Sequence, residues 1–204
     1  SESAPTLLTD GKFVLEINPD RFARAGLKIF KSDWSKEIAE LEKLTAVTKI
    51  ENGFLFGTPT GTWVYLINGN LDIDFEPSEK AFGTTGNFAG LSLETTDIAK
   101  SAEIWSILGY EKTMGSPEQG WIAHSNGSPV GMSLMKPNAC PHLFFNPSLT
   151  FFNGKENNPK IIQKIREAGI PIAEEISVFN KEGKVDNVII RDPGGYGFFI
   201  FNDG

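Results

Sequence analysis

Few side chains in this sequence are equipped for chemistry. There are two histidines, His124 and His142, and one cysteine, Cys140. A facial His, His, carboxylate centre for a divalent cation would have to use both histidines. Cys140 has no base near it in sequence to make a thiolate, so it reads as a bystander. Glu94 ends an alternating stretch. At the strand end it reads as a carboxylate reaching water; withdrawn from water in an aromatic cup, it would favour the neutral form and could act as a base or grip a cationic ligand. Asp192 opens a Pro-Gly-Gly turn and reads as a turn residue bonded to its own backbone. His124, near the end of an extended stretch, reads as a partly exposed strand residue, with a ligand or acid-base role as the alternative. His142, between Pro141 and a Phe-rich segment, reads as a linker residue packed against the domain. No phosphate loop, dinucleotide fingerprint, nucleophile elbow or Cys-x-x-Cys pair is present.

The chain that must position these groups has 204 residues, 40% apolar and 22% charged, with 16 Phe and 21 Gly. That balance belongs to a folded, turn-rich, β-rich protein and excludes disorder, collagen and coiled coil. A net charge of -7 argues against nucleic acid or anionic membrane as partner, since both select basic faces. No apolar run approaches the roughly 20 residues that span a bilayer, and Ser1-Glu2-Ser3 is no basic, apolar leader. A lone cysteine fits a reducing compartment. The expectation is a soluble, cytoplasmic protein.

The organisation is repetitive. Ala25-Gly26-Leu27 recurs as Ala89-Gly90-Leu91, and at the same shift Asp33 falls on Asp97, Lys36 on Lys100, Leu41 on Trp105 and Leu44 on Leu108. Each copy reads as a short strand, an Asp helix cap and an amphipathic helix, striped by Trp34, Ile38, Leu41 and Leu44 or by Ile98, Ala102, Trp105 and Leu108. Three extended stretches follow each helix, near 47–50, 54–56 and 63–67, then near 112–114, 121–124 and 130–135. A third copy has its strand at 148–152, a helix beginning after Asn157 and stopped by Gly169, and extended stretches at 172–179, 185–191 and 196–201. Residues 68–87 read as a linker. Lys12 to Ile17 could add an edge strand, and Asn18 to Ala23 looks like one helical turn. The division expected is an N-terminal unit with its leading strand at 1–80, a linker end at 81–87 and a two-unit domain at 88–204.

This tandem of β-α-β-β-β units resembles the vicinal oxygen chelate superfamily of glyoxalases, bleomycin resistance proteins and extradiol dioxygenases. The resemblance is carried by Ala89 to Tyr110, by the helix exit Ala168-Gly169-Ile170-Pro171, and by Ile190 to Phe201 with its Asp192-Pro-Gly-Gly-Tyr-Gly run. It implies an α+β fold in which two units pair and their sheets curl into a ligand-holding cup, helices outside. Strand alternation then puts Leu91, Leu93, Leu149 and Phe151 under the helices and Gly90, Ser92, Glu94, Ser148, Thr150, Phe152, Gly197, Phe199 and Phe201 inward. In the first unit Val64 and Leu66 pack outward, while Trp63 and Tyr65 turn inward. The resemblance also implies four metal-ligand positions on first and last strands. Carried over, these are Gly90, Ser148, Phe199 and a residue near Met132 or Ser133, with Gly26 and Tyr65 in the first unit, and none is a good ligand.

Three functions compete. The first is a metal-free binder of an apolar, aromatic or amphiphilic small molecule, its cup lined by Ser92, Glu94, Trp121, His124, Thr150, Phe152, Phe199 and Phe201, with no cofactor. The second is a divalent-metal lyase, isomerase or dioxygenase, against which the missing ligands weigh. The third is a structural module whose cup is filled by its own aromatics. Three units where the family builds in twos leave the first unit's sheet without a mate, so a homodimer through that unit is expected, with the leading strand and the linker folding over it as the alternative.

Overall fold

A computed structural model describes residues 6–78, 83–128, 130–139 and 146–204. Cys140 and His142 lie outside these residues. The three units form as the repeat requires. The first has β3 (Gly26–Lys31), α1 (Ser35–Leu41), β4 (Val47–Ile50), β5 (Gly53–Gly57) and β6 (Trp63–Asn68). The second has β7 (Phe88–Glu94), α2 (Ile98–Ile107), β8 (Glu111–Ser116), β9 (Trp121–Ser125) and β10 (Gly131–Met135). The third has β11 (Ser148–Phe152), α3 (Gly154–Glu167), β12 (Ile172–Ile176), β13 (Asn187–Arg191) and β14 (Gly197–Phe201).

Units two and three merge into one eight-stranded sheet, ordered β12-β13-β14-β11-β7-β10-β9-β8, joined where β7 and β11 run antiparallel. The first unit keeps its own sheet, ordered β3-β6-β5-β4. The leading segment differs from expectation. Val14–Ile17 (β2) pairs with Thr6–Thr9 (β1) in a separate hairpin rather than joining the first sheet, and residues 18–25 hold one turn and no helix. Thr-Leu-Leu-Thr does not alternate, which hid β1.

The repeated Ala-Gly-Leu has a steric cause. Within each unit the first strand runs parallel to the last, and here the backbones crowd. A Cβ on Gly26 would stand 2.4 Å from the Trp63 carbonyl oxygen, and one on Gly90, whose φ is +140°, 1.9 Å from that of Gly131. Only glycine fits without displacing backbone. Helix ends repeat as well. The N–H groups of Gly109 and Tyr110 return to the carbonyls of Ser106 and Trp105, and those of Gly169 and Ile170 to Arg166 and Ile165. Both are Schellman closures, which require the left-handed glycine that follows each helix. Asp97 caps α2 by accepting from the Lys100 N–H at 3.0 Å. Helix α3 starts earlier than expected, at Gly154, whose N–H donates to Asp203 Oδ1, and Pro159 sits inside it.

The helices bury against one face of each sheet. Leu41, Val64 and Leu66 of the first unit share a core with Leu93, Ile104, Trp105 and Leu134 of the second, all fully buried. At about 1.5–3 kcal/mol per fully buried side chain, this common layer ties the first unit to the second. A second cluster packs α3, through Ile161, Ile162 and Ile165, against Leu91, Leu149, Val188 and Ile200. Among the described residues no helix is long and apolar enough to cross a membrane.

Candidate functional site

The face of the eight-stranded sheet opposite α2 and α3 is the candidate site. Residues directly paired across strands share a face, so the registers sort the side chains. One row runs Met114, Ala123, Ser133, Ser92, Ser148. A second runs Gly131, Gly90, Thr150, Phe199, Ile189. A third runs Ser116, Trp121, Met135, Glu94. The structure therefore brings Ser92, Glu94, Trp121, Thr150 and Phe199 to one surface. Phe152 pairs with Phe201 on that same face, beside Phe199.

The two halves differ. In the third unit, Phe199 and Phe201 stack at 5.3 Å with rings 2° from parallel, and Phe199 packs with buried Ile176 and Ile189. At the seam the hydroxyls of Ser92 and Thr150 lie 2.8 Å apart, both buried. The second-unit half is more accessible. Trp121 is 38% exposed, and Ala123, Ser133, Met135 and Glu94 are half-buried.

Glu94 is held rather than loose. Its Oε1 accepts the Asn138 N–H at 3.1 Å. Its backbone N–H donates to Asn146 Oδ1 and its carbonyl accepts from Asn146 Nδ2, both at 2.7 Å. The same Nδ2 donates to the Thr60 carbonyl at 2.7 Å. Thr60 sits in the tip joining β5 and β6, where the hydroxyls of buried Thr58, Thr60 and Thr62 bond one another at 2.6 and 2.9 Å. Asn146 thus pins the first unit's hairpin tip to the rim of the site. Sequence reasoning missed this residue because Asn-Pro before a strand looks like linker. It also missed Met135 and Met114, which the phase of Leu134 along β10 and the pairing of β8 would have supplied.

His124 departs from its expected place. It shares the phase of Ile122 and is paired with Met132, so it faces the helix side, 2% exposed. Its Nδ1 is buried and finds no hydrogen-bond partner among the described residues. Burial, and secondarily the Lys112 cation on the adjacent strand, push its pKa below the usual imidazole value. It is a neutral core imidazole outside the site. Asp192 does form its turn, accepting the Tyr196 N–H at 2.8 Å.

The positions that a metal ion would use on the paired first and last strands are now fixed. They carry Gly90 or Ser92, Ser148 or Thr150, Ser133, and Gly197 or Phe199, while Met132 turns into the core. Neutral hydroxyls, glycines and a phenyl ring do not fit a divalent ion that takes imidazole and carboxylate. Among the described residues no group of three or more His, Cys, Asp or Glu converges.

No protein-family model matches the chain, and no curated protein is similar in sequence. Solved structures do resemble it. A halotolerant catechol dioxygenase, BphC, superimposes over 96% of this chain and 77% of its own, with TM-score 0.54 and 10% identity. Homoprotocatechuate 2,3-dioxygenase from Arthrobacter globiformis matches over 88% of this chain and 61% of its own, with TM-score 0.56 and 14% identity. A variant of the Brevibacterium fuscum enzyme matches over 88% and 55%, with TM-score 0.51 and 12% identity. The chain spans little more than half the length of these last two. With its paired β-α-β-β-β units and this likeness, the chain has the vicinal oxygen chelate fold of the extradiol dioxygenases.

Proposed function

We propose that the chain binds an apolar or aromatic small molecule on the helix-free face of units two and three, without a metal ion. The observation that carries this reading is the composition of the cross-strand rows: hydroxyls and glycines at the seam, flanked by the Phe199–Phe201 stack on one side and accessible Trp121 on the other. Sites for small organic ligands are mostly apolar with a few fixed polar groups, and this face has that character. A metal-dependent lyase, isomerase or dioxygenase would need ligands these rows do not supply. Catechol and homoprotocatechuate, after which the structural neighbours are named, belong in the first ligand panel. The test is thermal shift of chelator-treated protein against planar aromatic compounds. A ligand that binds only the folded state raises the melting temperature. The reading fails if no compound shifts it, and a filled structural module then takes its place.

We also propose that two copies associate through the first unit. Strand β7 is interior to its sheet, but its repeat equivalent β3 is an edge strand. On the helix-free side of the first sheet Trp63, Tyr65 and Ile67 are only half-buried. The β1–β2 hairpin reaches β3 through the Glu16–Lys28 ion pair but does not join its ladder. A second copy's β3, running antiparallel as β11 does beside β7, would close this edge. Light scattering at micromolar concentration should give a dimer mass; a monomer mass refutes it.

A further inference from the structure

The half of the face contributed by the second unit carries its own chemistry. Strands β9, β10 and β7 bring Trp121, Met135 and Glu94 into one row. Neighbouring strands lie about 4.8 Å apart, so the Cα atoms of Trp121 and Glu94 stand roughly 10 Å apart with Met135 on the strand between them. That span suits a small ligand lying across three strands. The indole is accessible. The carboxylate is fixed at the end of β7 by the Asn138 N–H on one oxygen, and the backbone beneath it is clamped by Asn146.

We infer that this row selects an organic cation, an amine carried on an aromatic or aliphatic body, with Glu94 as counter-ion and Trp121 and Met135 as the surface for the body. The inference rests on the small-molecule reading above. An ammonium group gains from a fixed carboxylate and from an indole face together, whereas a carboxylate ligand would meet Glu94 as a like charge. The chain's net charge of -7 adds long-range attraction for cations and repulsion for anions. Lys136, which follows β10 directly, has its stem beside Gly120 in the turn that leads into β9.

The test uses three ligands of one shape and different charge: tryptamine, tryptophol and indole-3-acetate, titrated by calorimetry into the full chain and into Glu94→Gln and Trp121→Ala. Glu94→Gln keeps an oxygen to accept the Asn138 N–H, so it should keep the fold, and its melting temperature checks this. Tryptamine is expected to bind about tenfold or more tighter than tryptophol, with indole-3-acetate weakest; tenfold corresponds to about 1.4 kcal/mol. Glu94→Gln should abolish the preference for the amine, bringing tryptamine to the affinity that tryptophol has for the same variant, and Trp121→Ala should weaken both. Equal binding of all three, or a preference for the amine that survives in Glu94→Gln, overturns the inference but leaves the small-molecule reading standing. If none of the three binds and no other aromatic compound shifts the melting temperature, both fall.

Discussion

Asn146 is the residue where the account of how the site is assembled is most exposed to test. Its amide accepts one hydrogen bond and donates two, each 2.7 Å long, joining the first unit's hairpin tip to the end of β7 just before β11 begins. Asn146→Ala removes all three. At a net value of about 1 kcal/mol per bond, the loss is about 2–3 kcal/mol, less what water recovers at a partly exposed rim. For a chain of this size that lowers the melting temperature by roughly 4–12 °C. Asn146→Asp is the sharper variant. It keeps the acceptor for the Glu94 N–H but points a carboxylate at the carbonyls of Thr60 and Glu94, so it should be no more stable than Asn146→Ala at neutral pH. It should regain stability on acidification, relative to Asn146→Ala, as the carboxyl gains a proton it can donate. Chemical denaturation from pH 4 to 8 measures both. An Asn146→Ala change within about 0.5 kcal/mol of zero, the range of ordinary surface substitutions, would refute the pinning of the hairpin tip to the rim.

Three further outcomes follow from the packing. His124 is buried, so the folded state takes up its proton less readily than the unfolded chain, whose imidazole titrates near 6.5. Its contribution to stability is complete above about pH 6.5 and is lost as pH falls below it. His124→Leu should therefore flatten the dependence of unfolding free energy on pH between about 5 and 6.5, and identical slopes would contradict a neutral core imidazole. Gly90→Ala meets the Gly131 carbonyl oxygen at 1.9 Å from a backbone φ of +140°, and should cost more than about 3 kcal/mol by denaturant titration, far above the cost at open-turn Gly127. Phe199→Ala empties the floor of the third-unit half and should cost about 3–5 kcal/mol, with Phe199→Leu recovering most of it.

Much of the fold was legible because its determinants are local or repeated. The 64-residue shift located two units, helix stripes at 3.6-residue spacing gave their buried faces, and Gly169 marked the exit of the third helix. Alternation correctly separated Leu91 and Leu93 from Ser92 and Glu94. Not applied to β9, it leaves His124 in the cup, whereas Ile122, two residues earlier, fixes that phase toward α2. The seam carries another limit. The β11–β7 register shifts between Thr150 and Phe151, so Phe88 meets Phe151 within the helix-side core although simple alternation groups it with Gly90. The leading hairpin was obscured because its first strand lacks alternation, and Asn146 because its bonds run to residues 52 and 86 positions away.

The helix-free face is proposed to take a small organic molecule without help from a metal ion. Calorimetric titration of one aromatic ligand into chelator-treated protein, repeated with added ferrous, manganous or zinc ion, tests it most directly. Saturable, one-to-one binding is expected, its affinity unchanged by metal and reduced by Trp121→Ala. Binding that appears only when a divalent ion is supplied would contradict it.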